Sequence, residues 1–127
     1  MKIFMKTKMI LVDDNKMIRE SMQKFLAYDF EVQAYSGGQE ALLFAEKNPP
    51  AILVTDYYLE DETGLELIEE MRKINPQVIT VLFTGYPNSY LAQKIPKYSV
   101  DLYFTKPLIL HSFIAKIKEI INKKEVV

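Results

Sequence analysis

Short apolar runs alternate with segments of helical periodicity along the chain. The apolar runs lie at residues 9–12, 30–35, 51–55, 78–83 and 101–104. The first, third and fourth runs are almost continuous Ile, Leu and Val, which is typical of strands that are covered on both faces. The pattern therefore predicts five strands, each followed by a helix.

The segments between the runs place apolar residues at helical spacing. These residues are Met17, Phe25 and Leu26 in the first helix, Ala41, Leu42, Phe44 and Ala45 in the second, Leu65, Leu67, Ile68 and Met71 in the third, and Ile114, Ile117, Ile120 and Ile121 in the last. We expect the second and third helices to end at Asn48 and Asn75, because the proline that follows each disfavours helical backbone. The fourth helix, at residues 88–97, has the weakest pattern, and we expect Pro96 to cut it short.

Regular alternation of strands and helices predicts parallel strands joined by right-handed crossovers. We therefore expect an α/β fold, a three-layer sandwich with a doubly wound parallel five-stranded sheet between two layers of helices. The pattern does not encode the strand order. The order 2-1-3-4-5 is common at this size, and it places a binding site where the carboxyl ends of strands one and three meet.

Length and composition exclude several classes of protein. A chain of 127 residues, 49% of them hydrophobic, suffices for one domain with its own core. The absence of cysteine excludes thiolate catalysis, iron–sulfur clusters and zinc fingers. A net charge of -1, with Arg19 and Arg72 as the only arginines, argues against direct nucleic-acid binding. No stretch reaches the roughly 18 apolar residues of a membrane helix, so we expect a cytoplasmic protein without membrane contact.

Four of the five predicted strands are followed by polar residues that a buried strand does not need. These residues are Asp13 and Asp14 after the first strand, Asp56 after the third, Thr84 after the fourth and Lys106 after the fifth. Because the carboxyl ends of parallel strands lie along one edge of a sheet, we expect these side chains to converge. The aspartates and Thr84, each taken alone, have ordinary interpretations as helix caps or turn residues. Lys106 is less easily explained, because a lysine directly after a buried strand is costly unless it is paired, and the five residues together favour a site.

The predicted cluster has the chemistry of a phosphoryl site. Three neighbouring carboxylates repel one another unless cations neutralise them, and Lys106 supplies one positive charge. Oxygen ligands without nearby His or Cys suit Mg²⁺ better than a full calcium cage. A metal ion, an amine and a hydroxyl would all receive phosphoryl oxygens, and Asp56 is the natural covalent acceptor.

From about residue 8 onward, the chain resembles the receiver domain of two-component response regulators, the CheY-like family. The matching residues are Asp13, Asp14, Asp56, Gly64 eight positions later, Thr84, Tyr103 and the pair Lys106 and Pro107. The sequence departs from the family at Glu60, where many receivers have proline, and at Ser99 and Val100, where a Gly-Ala pair is frequent.

The resemblance implies a phosphorylation-activated switch that uses Mg²⁺. The implied metal ligands are Asp13, Asp14, Asp56 and the main-chain carbonyl of Tyr58. Asp56 would receive a phosphoryl group from a sensor histidine kinase or a phosphotransfer protein. Thr84, Lys106 and Tyr103 would then alter the surface of helix four, strand five and helix five, and so bind or release an effector protein. The Lys106–Pro107 peptide bond is expected to be cis.

The resemblance also implies how the chain is organised. We expect a receiver domain at residues 8–124, an N-terminal extension at residues 1–7 and a C-terminal tail at residues 125–127. The receiver would catalyse only its own phosphoryl transfer and slow autodephosphorylation, as a monomer or weak dimer. It would either act by docking to partners or be part of a longer regulator with a DNA-binding or enzymatic output domain, cut near Lys123 and Lys124.

Three alternatives share this architecture. A phosphatase of the haloacid dehalogenase kind also forms an aspartyl phosphate, but it normally has a second acid where this chain has Tyr58. A flavodoxin-like flavin binder needs a phosphate loop after the first strand, where Asp13 and Asp14 would repel phosphate. A receiver-shaped module that no longer takes phosphate is disfavoured by the intact acidic set.

Other motifs receive simpler interpretations. The pair Gly37 and Gly38 predicts a turn into the second helix, and His111 is expected to be solvated near the start of the last helix. The acidic residues Glu60, Asp61, Glu62, Glu66, Glu69 and Glu70 are expected to form a solvated face. Tyr58 and Tyr86 are hypothesised to flank the phosphoryl group and to hinder attacking water.

Overall fold

The structure, a computed structural model, describes residues 6–125, in which strands and helices alternate. The strands are β1 (Thr7–Val12), β2 (Phe30–Tyr35), β3 (Ile52–Asp56), β4 (Ile79–Thr84) and β5 (Leu102–Thr105). The helices are α1 (Lys16–Leu26), α2 (Gly38–Lys47), α3 (Gly64–Ile74), α4 (Ser89–Lys94) and α5 (Leu110–Glu125), and a short 3-10 helix (Ile95–Tyr98) follows α4. β1 thus includes the last residue of the predicted N-terminal extension. The predictions for residues 1–5 and for residues 126 and 127 lie outside the described residues.

The five strands form one parallel sheet in the order β2-β1-β3-β4-β5. This confirms the predicted fold and strand order. β3 and β4 are buried along their whole length, which explains their continuous apolar sequences. Leu11, Val54 and Phe83 belong to the core cluster that includes residues of α1 and α5. Ile10, Leu53 and Leu82 belong to the second cluster, which includes residues of α2 and α3.

The helix faces are mostly as predicted, with α1 as the exception. The predicted apolar residues of α3 are all buried, and those of α5 are buried or half-buried, together with Phe113. In α1, Met17 is 78% exposed and Phe25 is 39% exposed, so their assignment to the core face was wrong. The stripe that packs inward consists of Ile18, Met22 and Leu26, which follow each other at four-residue spacing.

The boundaries at proline are also as predicted. α2 and α3 end with Asn48 and Asn75 as their C-caps. α4 has only six residues before the backbone tightens into the 3-10 helix that contains Pro96.

An arginine from α3 holds the end of this short helical segment. Arg72 donates hydrogen bonds to the main-chain carbonyl of Tyr98, to that of Ser99 at 2.5 Å and to Thr80 Oγ1 at 3.2 Å. Ser99 itself has left-handed backbone, with a φ of 53°. Arg72 therefore links α3 to the junction between the 3-10 helix and β5.

None of the helices within residues 6–125 is long and apolar enough to span a membrane.

Candidate functional site

The predicted site residues meet at the carboxyl ends of the strands. Asp13 and Asp14 directly follow β1, and Asp56 is the last residue of β3. Carboxylate oxygens of these three residues lie within 4.8 Å of one another. Lys106, which follows β5, places Nζ 3.0 Å from Oδ2 of Asp56 and 3.4 Å from Oδ2 of Asp13. The structure thus brings together four residues that are spread over most of the chain.

The carboxylates differ in exposure. Asp13 and Asp56 are buried, whereas Asp14 is exposed. They line an open cavity of about 440 Å³ together with Tyr58, Gly85, Tyr86, Lys106, Asn15 and Ile18. The site is therefore open to solvent on the side of Asp14.

The turn after β1 is held by hydrogen bonds within the first turns of α1. Oδ1 of Asp13 accepts a hydrogen bond from the main-chain N–H of Asn15 at 2.9 Å. The side chain of Asn15 caps α1 by accepting from the N–H of Ile18 at 3.0 Å. Nη1 of Arg19 donates to the main-chain carbonyl of Asp13 at 2.8 Å. Arg19 is a contact that the sequence analysis missed, because no local pattern indicates which way its side chain points.

The electrostatics of the site are unbalanced. Burial raises the pKa of Asp13, although the Asn15 amide and the ammonium of Lys106 partly oppose this effect. For Lys106, burial alone would lower the pKa, but the hydrogen bond to Asp56 and the charge of Asp13 outweigh it and raise the pKa. Lys106 therefore stays protonated at neutral pH, and one ammonium faces three carboxyl groups. An all-oxygen donor set that needs further positive charge fits a hard divalent ion such as Mg²⁺.

Thr84 ends β4, and Tyr103 lies within β5, the strand that leads to Lys106. Thr84 is buried, and its hydroxyl accepts a hydrogen bond from the main-chain N–H of Tyr86 at 3.1 Å. The main-chain N–H of Lys106 donates to the carbonyl of Thr84 at 2.8 Å, which couples the ends of β4 and β5. Tyr103 is half-buried in β5, and burial raises its pKa. It packs against the core cluster of α2 and α3 rather than among the carboxylates.

Two tyrosines flank the cavity. Tyr58 and Tyr86 are 47% and 76% exposed, and their rings meet edge-on with centroids 6.1 Å apart. Tyr58 also packs edge-on against Tyr57, with the ring centroids 4.7 Å apart. The pair lies where the hypothesis requires, and its effect on water remains a prediction.

Two predicted backbone features lie next to the site. The N–H of Gly64 donates to the carbonyl of Tyr57 at 2.7 Å, and a Cβ at Gly64 would lie 2.3 Å from the main-chain oxygen of Asp56. This approach requires glycine at the start of α3. The Lys106–Pro107 peptide bond is cis, as expected.

The acidic residues after β3 are not simply a solvated face. Asp61 accepts hydrogen bonds from the N–H groups of Gly38 and Gln39 at the start of α2, at 3.1 and 3.0 Å. Glu62 and Glu70 are half-buried. Local patterns contain little indication of this contact, because Asp61 lies more than twenty residues from its partners. The one available hint was a Gly-Gly helix start without a capping side chain. His111 is exposed in the first turn of α5, as predicted.

Most of the chain is similar to known proteins of one family. The family model for the response regulator receiver domain matches residues 9–118. The photosynthetic apparatus regulatory protein RegA of Cereibacter sphaeroides is 29% identical over 113 residues, which cover 85% of this chain and 61% of RegA. The sensor histidine kinase TmoS of Ectopseudomonas mendocina is 26% identical, over 92% of this chain and 12% of TmoS. The chain therefore spans less than two-thirds of the length of these curated relatives.

Solved structures show the same fold. A CheY-like receiver domain protein from Methanospirillum hungatei superimposes with a TM-score of 0.89 at 26% identity, covering 95% of this chain and 98% of that protein. A BeF3-activated DrrB receiver domain has a TM-score of 0.83 at 23% identity, with 93% and 99% covered, and supports the fold alone.

Proposed function

The chain belongs to the response regulator receiver domain family, and we propose that Asp56 accepts a phosphoryl group from a phosphohistidine on a sensor histidine kinase or a phosphotransfer protein. The observation that carries the proposal is the contact of the Lys106 ammonium with Asp56 at 3.0 Å, inside a cluster of three carboxyl groups. A structural ion pair needs one carboxylate. The two further acids at the same strand edge are costly unless they hold a cation.

The transfer needs positioning more than covalent chemistry from the protein. A carboxylate oxygen of Asp56 attacks the phosphorus atom and forms a P–O bond. The P–N bond to the donor histidine breaks, and its electron pair returns to the imidazole nitrogen, which takes up a proton. Asp13, Asp14, Asp56 and the main-chain carbonyl of Tyr58 would hold Mg²⁺, which when bound offsets the charge of the carboxylates and of the phosphoryl oxygens.

The side chains around Asp56 would then respond to the new charge. Phosphorylation adds roughly one to two negative charges and new acceptor oxygens. Lys106 would turn from the Asp56 carboxylate toward a phosphoryl oxygen. The hydroxyl of Thr84 would donate to another oxygen, which changes its contact with the N–H of Tyr86. That change, together with a move of Tyr103, would alter the surface of α4, β5 and α5.

This chain has an apolar surface beside the site, on which the phosphodonor protein could dock. A groove of about 570 Å³ lies beside the site and is lined by Met17, Ile18, Ser21, Met22, Gly85, Lys106, Pro107, Leu108 and Leu110. Met17, which lines the groove, is 78% exposed, and Ile109, between the lining residues Leu108 and Leu110, is 73% exposed. Apolar side chains exposed next to a reactive group favour a protein partner over a small molecule. We propose that the phosphodonor protein docks here.

For the output of the switch, we propose a kind of partner and not a particular protein. The protein would be cytoplasmic, would act as a monomer or weak dimer, and would turn over no free substrate. Its net charge of -1 favours an effector protein over direct nucleic-acid binding. The alternative is that this receiver belongs to a longer regulator. A DNA-binding response regulator of the LuxR family from Staphylococcus aureus has a similar structure, with 25% identity, a TM-score of 0.82, and 89% of this chain and 97% of that one covered.

Intact-mass measurement tests the proposal directly. After incubation with acetyl phosphate and Mg²⁺, we expect the wild type to gain one phosphoryl group and Asp56→Asn to gain none. Equal phosphorylation of both proteins, or of neither, would overturn the assignment. Sustained hydrolysis of a phosphomonoester over many turnovers would instead favour the phosphatase alternative.

A further inference from the structure

The loop between β3 and α3 folds back on itself beside Asp56. The main chains of Tyr58 and Thr63 form an isolated antiparallel bridge. The N–H of Leu59 donates to the carbonyl of Glu62 at 3.2 Å, which closes the turn around residues 60 and 61. Backbone hydrogen bonds therefore link the segment that contains Tyr58 to the tip of this loop.

The tip of the loop is hydrogen-bonded to the start of α2. Oδ1 of Asp61 accepts from the N–H of Gly38 at 3.1 Å, and Oδ2 accepts from the N–H of Gln39 at 3.0 Å. The N-cap of α2 is Gly37, which has no side chain to satisfy these amides. Asp61 caps α2 from outside the helix, and both of its carboxylate oxygens are used.

The two glycines at the start of α2 have no side chains, which leaves room for the acidic side chains of the loop. A Cβ at Gly37 would lie 3.1 Å from Oδ2 of Asp61, and a Cβ at Gly38 would lie 2.1 Å from Oε1 of Glu62. A side chain at either position would therefore have to displace the end of the Asp61 or Glu62 side chain. Gln39 Nε2 lies 3.5 Å from the same Glu62 oxygen and adds a second link.

The charges of the loop suit the contact as well. Burial alone would raise the pKa of Asp61, but hydrogen bonds from the amides of Gln39 and Gly38 outweigh it and lower the pKa. Burial, a hydrogen bond with Glu70 and the neighbouring acids raise the pKa of Glu62 to about 8. At neutral pH, Asp61 is thus the charged partner of the α2 amides, and Glu62 retains its proton for much of the time.

We infer that Asp61 is a positioning residue for the phosphoryl site: it anchors the β3–α3 loop to α2 and so holds the main-chain carbonyl of Tyr58 ready to bind the metal. This inference rests on the proposed function, in which that carbonyl is a metal ligand. The Asp61 carboxylate accepts hydrogen bonds from the start of α2. Its effect passes through the backbone of the loop, as outer contacts commonly orient the groups that bind a metal.

The test compares Asp61→Ala with Glu60→Ala, which removes the same charge from the exposed neighbouring position in the loop. Calorimetric titration of the unphosphorylated proteins with Mg²⁺ measures binding without any phosphoryl transfer. We expect about tenfold weaker Mg²⁺ binding in Asp61→Ala than in Glu60→Ala. Asp61→Asn keeps one acceptor oxygen and should lie between Asp61→Ala and the wild type.

Hydrogen exchange supplies a second measurement. The amides of Gly38 and Gln39 should exchange faster in Asp61→Ala, whereas they should be unchanged in Glu60→Ala. Equal Mg²⁺ affinity in Asp61→Ala and Glu60→Ala would overturn the inference, and if Asp61→Ala does not fold, equal affinity in Asp61→Asn and Glu60→Gln would do the same. Absence of Mg²⁺ binding in the wild type, or binding that is unchanged in Asp56→Asn, would overturn the proposed function and the inference with it.

Discussion

Lys106 Nζ lies 3.0 Å from Oδ2 of Asp56, although fifty residues of sequence separate them. The same ammonium lies 3.4 Å from Oδ2 of Asp13. One ammonium group thus contacts two buried carboxyl groups, with Asp14 close by, so that the side chains of this cluster include more acidic groups than basic ones. Under the proposed function, this arrangement lowers the stability of the folded chain and supplies the charge that would hold a cation beside the phosphoryl group.

The first prediction concerns Asp13. Because the pKa of Asp13 is raised in the folded state, its ionisation costs stability that is recovered only at low pH. Asp13→Asn should therefore increase the free energy of unfolding at pH 7, without divalent ions, by about 1 kcal/mol. The gain should shrink as pH falls toward the ordinary value of 3.8 and vanish below it.

Urea denaturation in the presence of a chelator measures this effect. Glu31→Gln removes one charge from the exposed outer strand and should leave stability within about 0.5 kcal/mol of the wild type. A loss of stability in Asp13→Asn across the whole pH range would contradict the interpretation of the site as electrostatically unbalanced.

The second prediction concerns Ser99. Its φ of 53° lies in the left-handed region, which costs an L-residue roughly 1–2 kcal/mol. Ser99→Gly should raise the free energy of unfolding by about 0.5–1 kcal/mol. Glycine removes the cost of the left-handed backbone, but it also increases the conformational entropy of the unfolded chain, which offsets part of the gain. The matched control is Ser112→Gly within α5, which should lower stability by up to about 1 kcal/mol. Equal effects at the two positions would argue against strain at Ser99.

The third prediction concerns Gly64. A Cβ there would lie 2.3 Å from the main-chain oxygen of Asp56, so Gly64→Ala must displace either α3 or the end of β3. We expect a loss of about 2 kcal/mol or more in thermal or urea unfolding, with slower phosphorylation of Asp56. At Gly85, the nearest atom to a Cβ would be Lys106 Cδ at an ordinary 3.6 Å, and Gly85→Ala should be nearly neutral for stability. A neutral Gly64→Ala would refute the packing argument.

The fourth prediction concerns the tyrosine pair beside the cavity. Replacing Tyr58 and Tyr86 together by serine opens the approach of water to the phosphoryl group. Loss of phosphate from the protein alone should then be several-fold faster, as followed by intact mass after removal of acetyl phosphate. Tyr90→Ser changes a tyrosine of α4 that is 61% exposed, a fraction between those of Tyr58 and Tyr86, and is not among the residues lining the cavity, so it should leave the lifetime unchanged. An unchanged lifetime in the double variant would refute the hypothesis.

Local patterns were sufficient for most elements and for the core of the site. Continuous Ile, Leu and Val runs identified β1, β3 and β4, because a strand buried on both faces has no polar positions to alternate with. The polar residues that follow the strands identified Asp13, Asp56 and Lys106, because all strands of a parallel sheet end at the same edge. These inferences need the direction of each strand and no knowledge of which strands are neighbours.

The helix α1 shows where a local pattern fails. Apolar residues lie on more than one side of this helix, so periodicity alone does not determine which side packs on the sheet. The tertiary structure buries Met22 and Leu26 and leaves Met17 exposed at the groove beside the site. The rotation of a helix about its axis is decided by its neighbours.

The elements, the polar strand ends and the family resemblance follow from the amino-acid order, since each depends on neighbouring residues or on fixed spacings. The contacts of Asp61 with α2, of Arg19 with Asp13 and of Arg72 with Ser99 emerge only in the folded chain. Each of these contacts depends on the direction of a polar side chain at the surface of an element. That direction is set by backbone groups brought near by packing, and no periodicity of hydrophobic residues encodes it.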